Sequence, residues 1–73
     1  MADIRIESEI PGKVISVEVS PGDTVEEDDP ILILESMKME IPVASPSEGT
    51  VKEILVDLDD TISEGDPVAV IEG

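Results

Sequence analysis

The chemistry this chain can offer is concentrated in Glu35-Ser36-Met37-Lys38-Met39-Glu40. Only four residues are basic, Arg5, Lys13, Lys38 and Lys52. Lys38 is the one that neither an apolar period nor a surface run accounts for. A side-chain amine can accept a covalent group once it is deprotonated, and a free lysine titrates near 10.4. An acylating enzyme must therefore supply the base and the activated acyl donor. The chain supplies neither. It has no histidine and no cysteine, which removes nucleophile–base pairs and structural zinc sites, and it carries no phosphate loop. Hydrolase and transferase readings have no support. Lys38 is read as a modification site, with the other residues acting as its holder, against the alternative of an ordinary exposed lysine.

That holder is small. Ordering 73 residues costs roughly 1.5 kcal/mol per residue, so a single core leaves little surplus stability. Aromatic residues are absent, and burial must come from Ile, Val, Leu, Ala and Met. The net charge of −15 opposes binding to nucleic acid or to an anionic membrane, both of which require a basic patch. The acids are scattered through turns and strands and read mainly as a solvated surface. No run approaches the length of apolar residues needed to span a bilayer. The N-terminus alternates polar and apolar residues, unlike a signal or transit peptide. With cysteine absent as well, the expectation is a cytoplasmic protein, monomeric in isolation.

The spacing of apolar residues is that of strands. Asp3 to Glu7, Val17 to Val19 and Ile41 to Val43 alternate with period two. Ile31 to Leu34 is a continuous apolar run, suited to a strand covered on both faces. Val51 to Val56 and Val68 to Ile71 complete the set. Six prolines and five glycines spread along the chain exclude a long helix. Pro42 within a strand pattern predicts an edge position or a bulge.

Shifted by 37 residues, the chain aligns with itself without a gap. Gly12-Lys13-Val14 falls on Gly49-Thr50-Val51, Asp23-Thr24-Val25 on Asp60-Thr61-Ile62, and Asp29-Pro30-Ile31 on Asp66-Pro67-Val68. Residues 3–36 are thus a copy of residues 40–73, joined by 37–39, within one domain spanning 1–73. Two such halves around a pseudo-two-fold axis predict an all-β fold: a flattened barrel or sandwich of two four-stranded antiparallel sheets. Lys38 would stand at one pole, with Met1 and Gly73 at the other.

If Glu35 ends one strand and Glu40 begins the next, Ser36 to Met39 must form a tight hairpin. Two-residue hairpin turns favour Asn-Gly or Asp-Gly because the central residues take positive φ. The other turns obey such chemistry, with Pro-Gly-Asp, Asp-Asp-Pro and Gly-Asp-Pro. Met-Lys does not, and a local rule broken at one place points to function. The alternative at this level is a polar loop whose methionines fill gaps in the core.

The hexapeptide closely resembles the attachment motif of biotinyl domains, the biotin carboxyl carrier family, in which the lysine lies between two methionines. The repeat, with its Gly-Asp turns, is similar to the biotinyl/lipoyl attachment fold across essentially the whole chain. The resemblance implies biotin in amide linkage on Lys38, at the tip of a hairpin. Met37 and Met39 would be the pair recognised by a biotin protein ligase and by carboxylase active sites. Glu35, Ser36 and Glu40 would flank the site with weaker roles. Ser36 stands where alanine is more usual, and Asp28 where the second copy has Gly65. The implied partners are the ligase, a biotin carboxylase and a carboxyltransferase, for example of an acyl-CoA carboxylase. The chain itself would be a non-catalytic, stand-alone minimal carrier, with the hard chemistry belonging to the cofactor.

Lipoyl carriers of 2-oxo acid dehydrogenases or glycine cleavage systems place a lysine similarly, but between an aspartate and a small residue. An unmodified adaptor domain of the same fold is a further alternative. Lys13 and Lys52 read as exposed strand residues.

Overall fold

The structure is a computed structural model that describes residues 3–73. Its elements are β1 (Asp3–Glu7), β2 (Gly12–Val17), β3 (Thr24–Val25), β4 (Pro30–Ser36), β5 (Met39–Ala44), β6 (Gly49–Ile54), β7 (Thr61–Ile62) and β8 (Pro67–Glu72). One sheet has the order β1-β8-β6-β3 and the other β5-β4-β2-β7. All pairings are antiparallel. The body is elongated, about 36 Å long and 18 Å across in both other directions.

The 37-residue shift carries β1 onto β5, β2 onto β6, β3 onto β7 and β4 onto β8, and so turns one sheet order into the other. Each sheet therefore draws two strands from each copy. The copies interlock: each supplies the central pair of one sheet (β2–β4 or β6–β8), and the other copy supplies the two strands that flank it. The turn hydrogen bonds repeat with the same shift. Gly22 N–H donates to the Val51 carbonyl as Asp59 N–H does to Val14, both at 2.8 Å. Asp28 N–H donates to the Ser45 carbonyl at 2.9 Å, and Gly65 N–H to that of Ser8 at 2.7 Å.

Much of the acidity is turn chemistry. In four turns a residue with positive φ (Gly22, Asp28, Asp59 or Gly65) precedes an aspartate. Those aspartates, Asp23, Asp29, Asp60 and Asp66, each accept the backbone N–H of the residue three positions earlier, at 2.8–2.9 Å. Such side-chain-to-backbone bonds close a turn at the expense of helix or ladder. Asp28 and Gly65 take the same left-handed backbone, with φ of 73° and 87°, so the Asp28 departure leaves the turn unchanged.

The core is aliphatic and paired by the same symmetry. Val14 lies opposite Val51 in the repeat, Val25 opposite Ile62, Ile31 opposite Val68, Leu32 opposite Ala69 and Leu34 opposite Ile71, all buried. Ile31 and Leu32 are adjacent and both inaccessible, so β4 is covered on both faces as its unbroken apolar run predicts. Pro42 lies on β5, an edge strand, where a missing N–H is tolerated.

Two details differ from the sequence expectation. The strand that begins at Gly12 ends at Val17, short of the alternation through Val19, and β6 stops at Ile54 rather than Val56. β3 and β7 are two residues long, too short to leave a periodic signal.

Gly12 and Gly49 occupy equivalent places where two backbones touch. A Cβ on Gly12 would lie 2.9 Å from the Glu35 carbonyl oxygen, and one on Gly49 2.7 Å from that of Glu72. Backbone at that distance must shift to admit a methyl group. Gly12→Ala and Gly49→Ala should each lower stability by about 1–3 kcal/mol, the usual range for overpacking. Chemical denaturation would measure this, and a loss below a few tenths of a kcal/mol would show that the strands yield freely.

Candidate functional site

Lys38 is held by the β4–β5 hairpin. The register runs Leu32↔Val43, Ile33↔Pro42, Leu34↔Ile41, Glu35↔Glu40 and Ser36↔Met39. The last pair leaves Met37 and Lys38 as the only residues of the turn. Both take left-handed φ, 52° and 66°. Positive φ at both central positions is the signature of a type I′ turn, whose twist matches that of the flanking strands. Left-handed backbone costs an L-residue roughly 1–2 kcal/mol. That cost is met by the strands. Leu32 and Leu34 have no exposed surface, and a one-residue slip of β4 would turn both to the strand's other face and disrupt their packing.

The turn faces outward. Met37 is 91 % and Met39 61 % exposed, so the methionines do not fill the core. Lys38 is exposed between them, and half-buried Ser36 closes the hairpin. The other two lysines are engaged: Lys13 Nζ lies 3.5 Å from Asp59 Oδ1, and Lys52 Nζ 2.7 Å from Asp3 Oδ2. Among the described residues Lys38 has no such ion pair. Glu35 and Glu40 are directly opposite each other across the two strands, a like-charge arrangement that strand pairing alone disfavours. On its other side Glu35 pairs with Lys13 of β2.

All six residues singled out in the sequence thus come together at one pole. Gly12 was not singled out as a site residue. It lies under the base of the hairpin, against Glu35 and Leu34, and its signal in the sequence is its alignment with Gly49. A groove of about 800 Å³ between edge strands β1 and β5 is lined by Ile6, Ile10, Ile41 and Val43 with acids at its rim. It offers no amine or nucleophile placed for reaction. Among the described residues no group of three acidic side chains converges to hold a metal ion. No helix is long and apolar enough to cross a membrane. The site can receive an acyl group on Lys38 and present it.

A family model described as "Biotin-requiring enzyme" matches residues 5–71. The chain belongs to the biotin/lipoyl family. Within it, the chain is 51 % identical over 37 residues to the glutaconyl-CoA decarboxylase gamma subunit of Acidaminococcus fermentans, covering 51 % of this chain and 26 % of that one. It is 49 % identical over 41 residues to biotinylated protein TB7.3 of Mycobacterium tuberculosis, covering 56 % of this chain and 55 % of the relative. Urea carboxylase of Kluyveromyces lactis contains a similar fold, with a TM-score of 0.93 at 35 % identity, covering 99 % of this chain and 6 % of the larger protein. The matched region is thus about half of the mycobacterial protein and a small part of the carboxylase.

Two measurements probe this pole and its opposite. Met37→Asn should raise stability by about 1 kcal/mol, the order of the left-handed penalty, since asparagine tolerates that backbone. Unchanged or lower stability would mean the turn is not strained. At the other pole, the hydrogen bond from Lys52 to Asp3, and then the charge of Asp3, raise the Lys52 pKa above lysine's ordinary 10.5. The pair's stabilisation is therefore complete below that value and is lost as pH rises through the higher folded pKa. Asp3→Asn should move the Lys52 side-chain NMR titration down, and no movement would break the assignment.

Proposed function

We propose that this protein is a biotin carboxyl carrier and that Lys38 is its attachment site. The observation that carries the reading is the left-handed two-residue turn, which displays Lys38 between two exposed methionines in a chain of the biotin/lipoyl family. A biotin protein ligase would remove the Lys38 proton and offer biotinyl-adenylate. The amine attacks the acyl carbon, an amide forms, and AMP leaves. Met37 and Met39 give the ligase an apolar grip on either side of the amine, while Glu35 and Glu40 mark the stem.

The carrier catalyses nothing itself. Biotin, once attached, supplies carboxyl-group transfer. A biotin carboxylase would load the carboxyl group and a carboxyltransferase would discharge it, with the tether keeping the group concentrated near both sites. The rigid stem fixes where the arm begins, and the turn keeps the amine clear of the sheets. The relatives' names include pyruvate carboxylase, methylmalonyl-CoA decarboxylase and glutaconyl-CoA decarboxylase. Such different substrates, some gaining and some losing a carboxyl group, fit a carrier whose surface does not select the final substrate. The charge of −15 opposes self-association, which suits a monomer that visits its partners in turn.

Incubation of the chain with biotin, ATP and a biotin ligase, beside lipoate with a lipoate ligase, tests this reading. Intact mass should rise by one biotinyl group and by no lipoyl group. Lys38→Ala should abolish the increment, while Lys13→Ala and Lys52→Ala should retain it. A lipoyl increment alone would move the protein to the dehydrogenase class. No increment from either ligase would leave the adaptor reading in its place.

A further inference from the structure

Among the described residues, the hairpin tip also gathers the side chains most open to two-electron oxidation. The sequence has no Cys, Trp, Tyr, Phe or His and three methionines. Met37 and Met39 are the two in the described structure. They are also its most exposed large apolar residues, at 91 % and 61 %. The buried core consists of Ile, Leu, Val and Ala, so an oxidant that reaches the thioethers touches nothing on which the fold rests. An oxidised methionine elsewhere commonly disrupts packing. Here it would change only the surface on either side of Lys38.

We propose that Met37 and Met39 form a reversible redox modification site that gates acylation of Lys38. The inference rests on the carrier reading above and adds a regulatory chemistry to it. A thioether sulfur attacks the outer oxygen of a hydroperoxide. The S–O bond forms as the O–O bond breaks, the sulfur gives up two electrons, and water or an alcohol leaves. The product is a methionine sulfoxide, polar and chiral where an apolar chain had been. Reductases restore the thioether with two electrons from thiols, and the oxygen leaves as water. A ligase that desolvates an apolar pair must then strip water from a strongly polar sulfoxide, which is unfavourable without a matching donor.

The absence of cysteine strengthens the case, because a thiolate would otherwise compete for the oxidant. The two methionines also bracket the amine, at positions 37 and 39 around Lys38. Oxidation of either one alters the face that a ligase must contact, without removing or blocking the amine itself.

The test uses the full, unbiotinylated chain treated with hydrogen peroxide and then freed of it. Peptide mapping should place one oxygen on each of Met37 and Met39, with the thermal unfolding midpoint unchanged. Loading by a biotin ligase should then fall roughly tenfold or more in kcat/KM, as expected when a polar group enters an apolar contact. Treatment with the two sulfoxide reductases, one for each epimer, should restore it. A Met37→Leu/Met39→Leu chain, compared with its own untreated rate, should be insensitive to peroxide. If the untreated chain takes no biotin, the carrier reading falls and this inference with it. If the untreated chain loads and its doubly oxidised form loads equally fast, this inference alone is overturned. Peroxide sensitivity in the double-leucine chain, or a lowered unfolding midpoint after oxidation, would overturn it by placing the damage elsewhere.

Discussion

The register of β4 against β5 is the constraint on which the site depends. Leu32 and Leu34 are inaccessible to solvent, and a slip of their pairing with Val43 and Ile41 would turn both to the opposite face and undo the packing that fits them where they are. Once Ser36 must meet Met39, two residues remain to reverse the chain, and they must be left-handed. Neither methionine nor lysine would choose that backbone. The sheets hold them there, and the strained tip is carried by a stem anchored through the buried Ile31, Leu32 and Leu34 of β4. Strain held by an over-determined scaffold is a recurrent property of functional sites.

The pseudo-symmetry shows what sets the site apart. The pair Glu35↔Glu40 corresponds, one repeat later, to Glu72↔Asp3. At that second pole Asp3 is bound by Lys52 at 2.7 Å. The residue equivalent to Lys52 is Ile15, so no cation answers Glu40 in the same way. One pole is tied down by an ion pair; the other leaves its acids and its lysine uncommitted. Two topologically equivalent halves therefore end in one structural pole and one reactive pole.

Much of this was legible in the sequence. The Met37-Lys38-Met39 tip stands out because it violates the turn chemistry that Pro21-Gly22-Asp23 and Gly65-Asp66-Pro67 obey. The repeat foretells two equal sheets, and Pro42 foretells an edge. The interlocking of the halves was not legible, because a repeat fixes which strands are equivalent and not which are neighbours. The four-strand count of each half was expected, but β3 and β7 could not be placed because two residues carry no period. Nor could composition decide whether Met37 and Met39 are core or surface, since methionine serves in both. The contact of Gly12 with the Glu35 carbonyl joins residues far apart in the chain, and only packing reveals it.

The central claim is that geometry, not the mere presence of an amine, selects one lysine of three. The most direct measurement is site-resolved peptide mapping of the wild-type chain after loading by a biotin ligase, with occupancy quantified at Lys13, Lys38 and Lys52. The account predicts that all the biotin is on Lys38. Biotin shared with Lys13 or Lys52, which lie within strands and not at a turn tip, would contradict it.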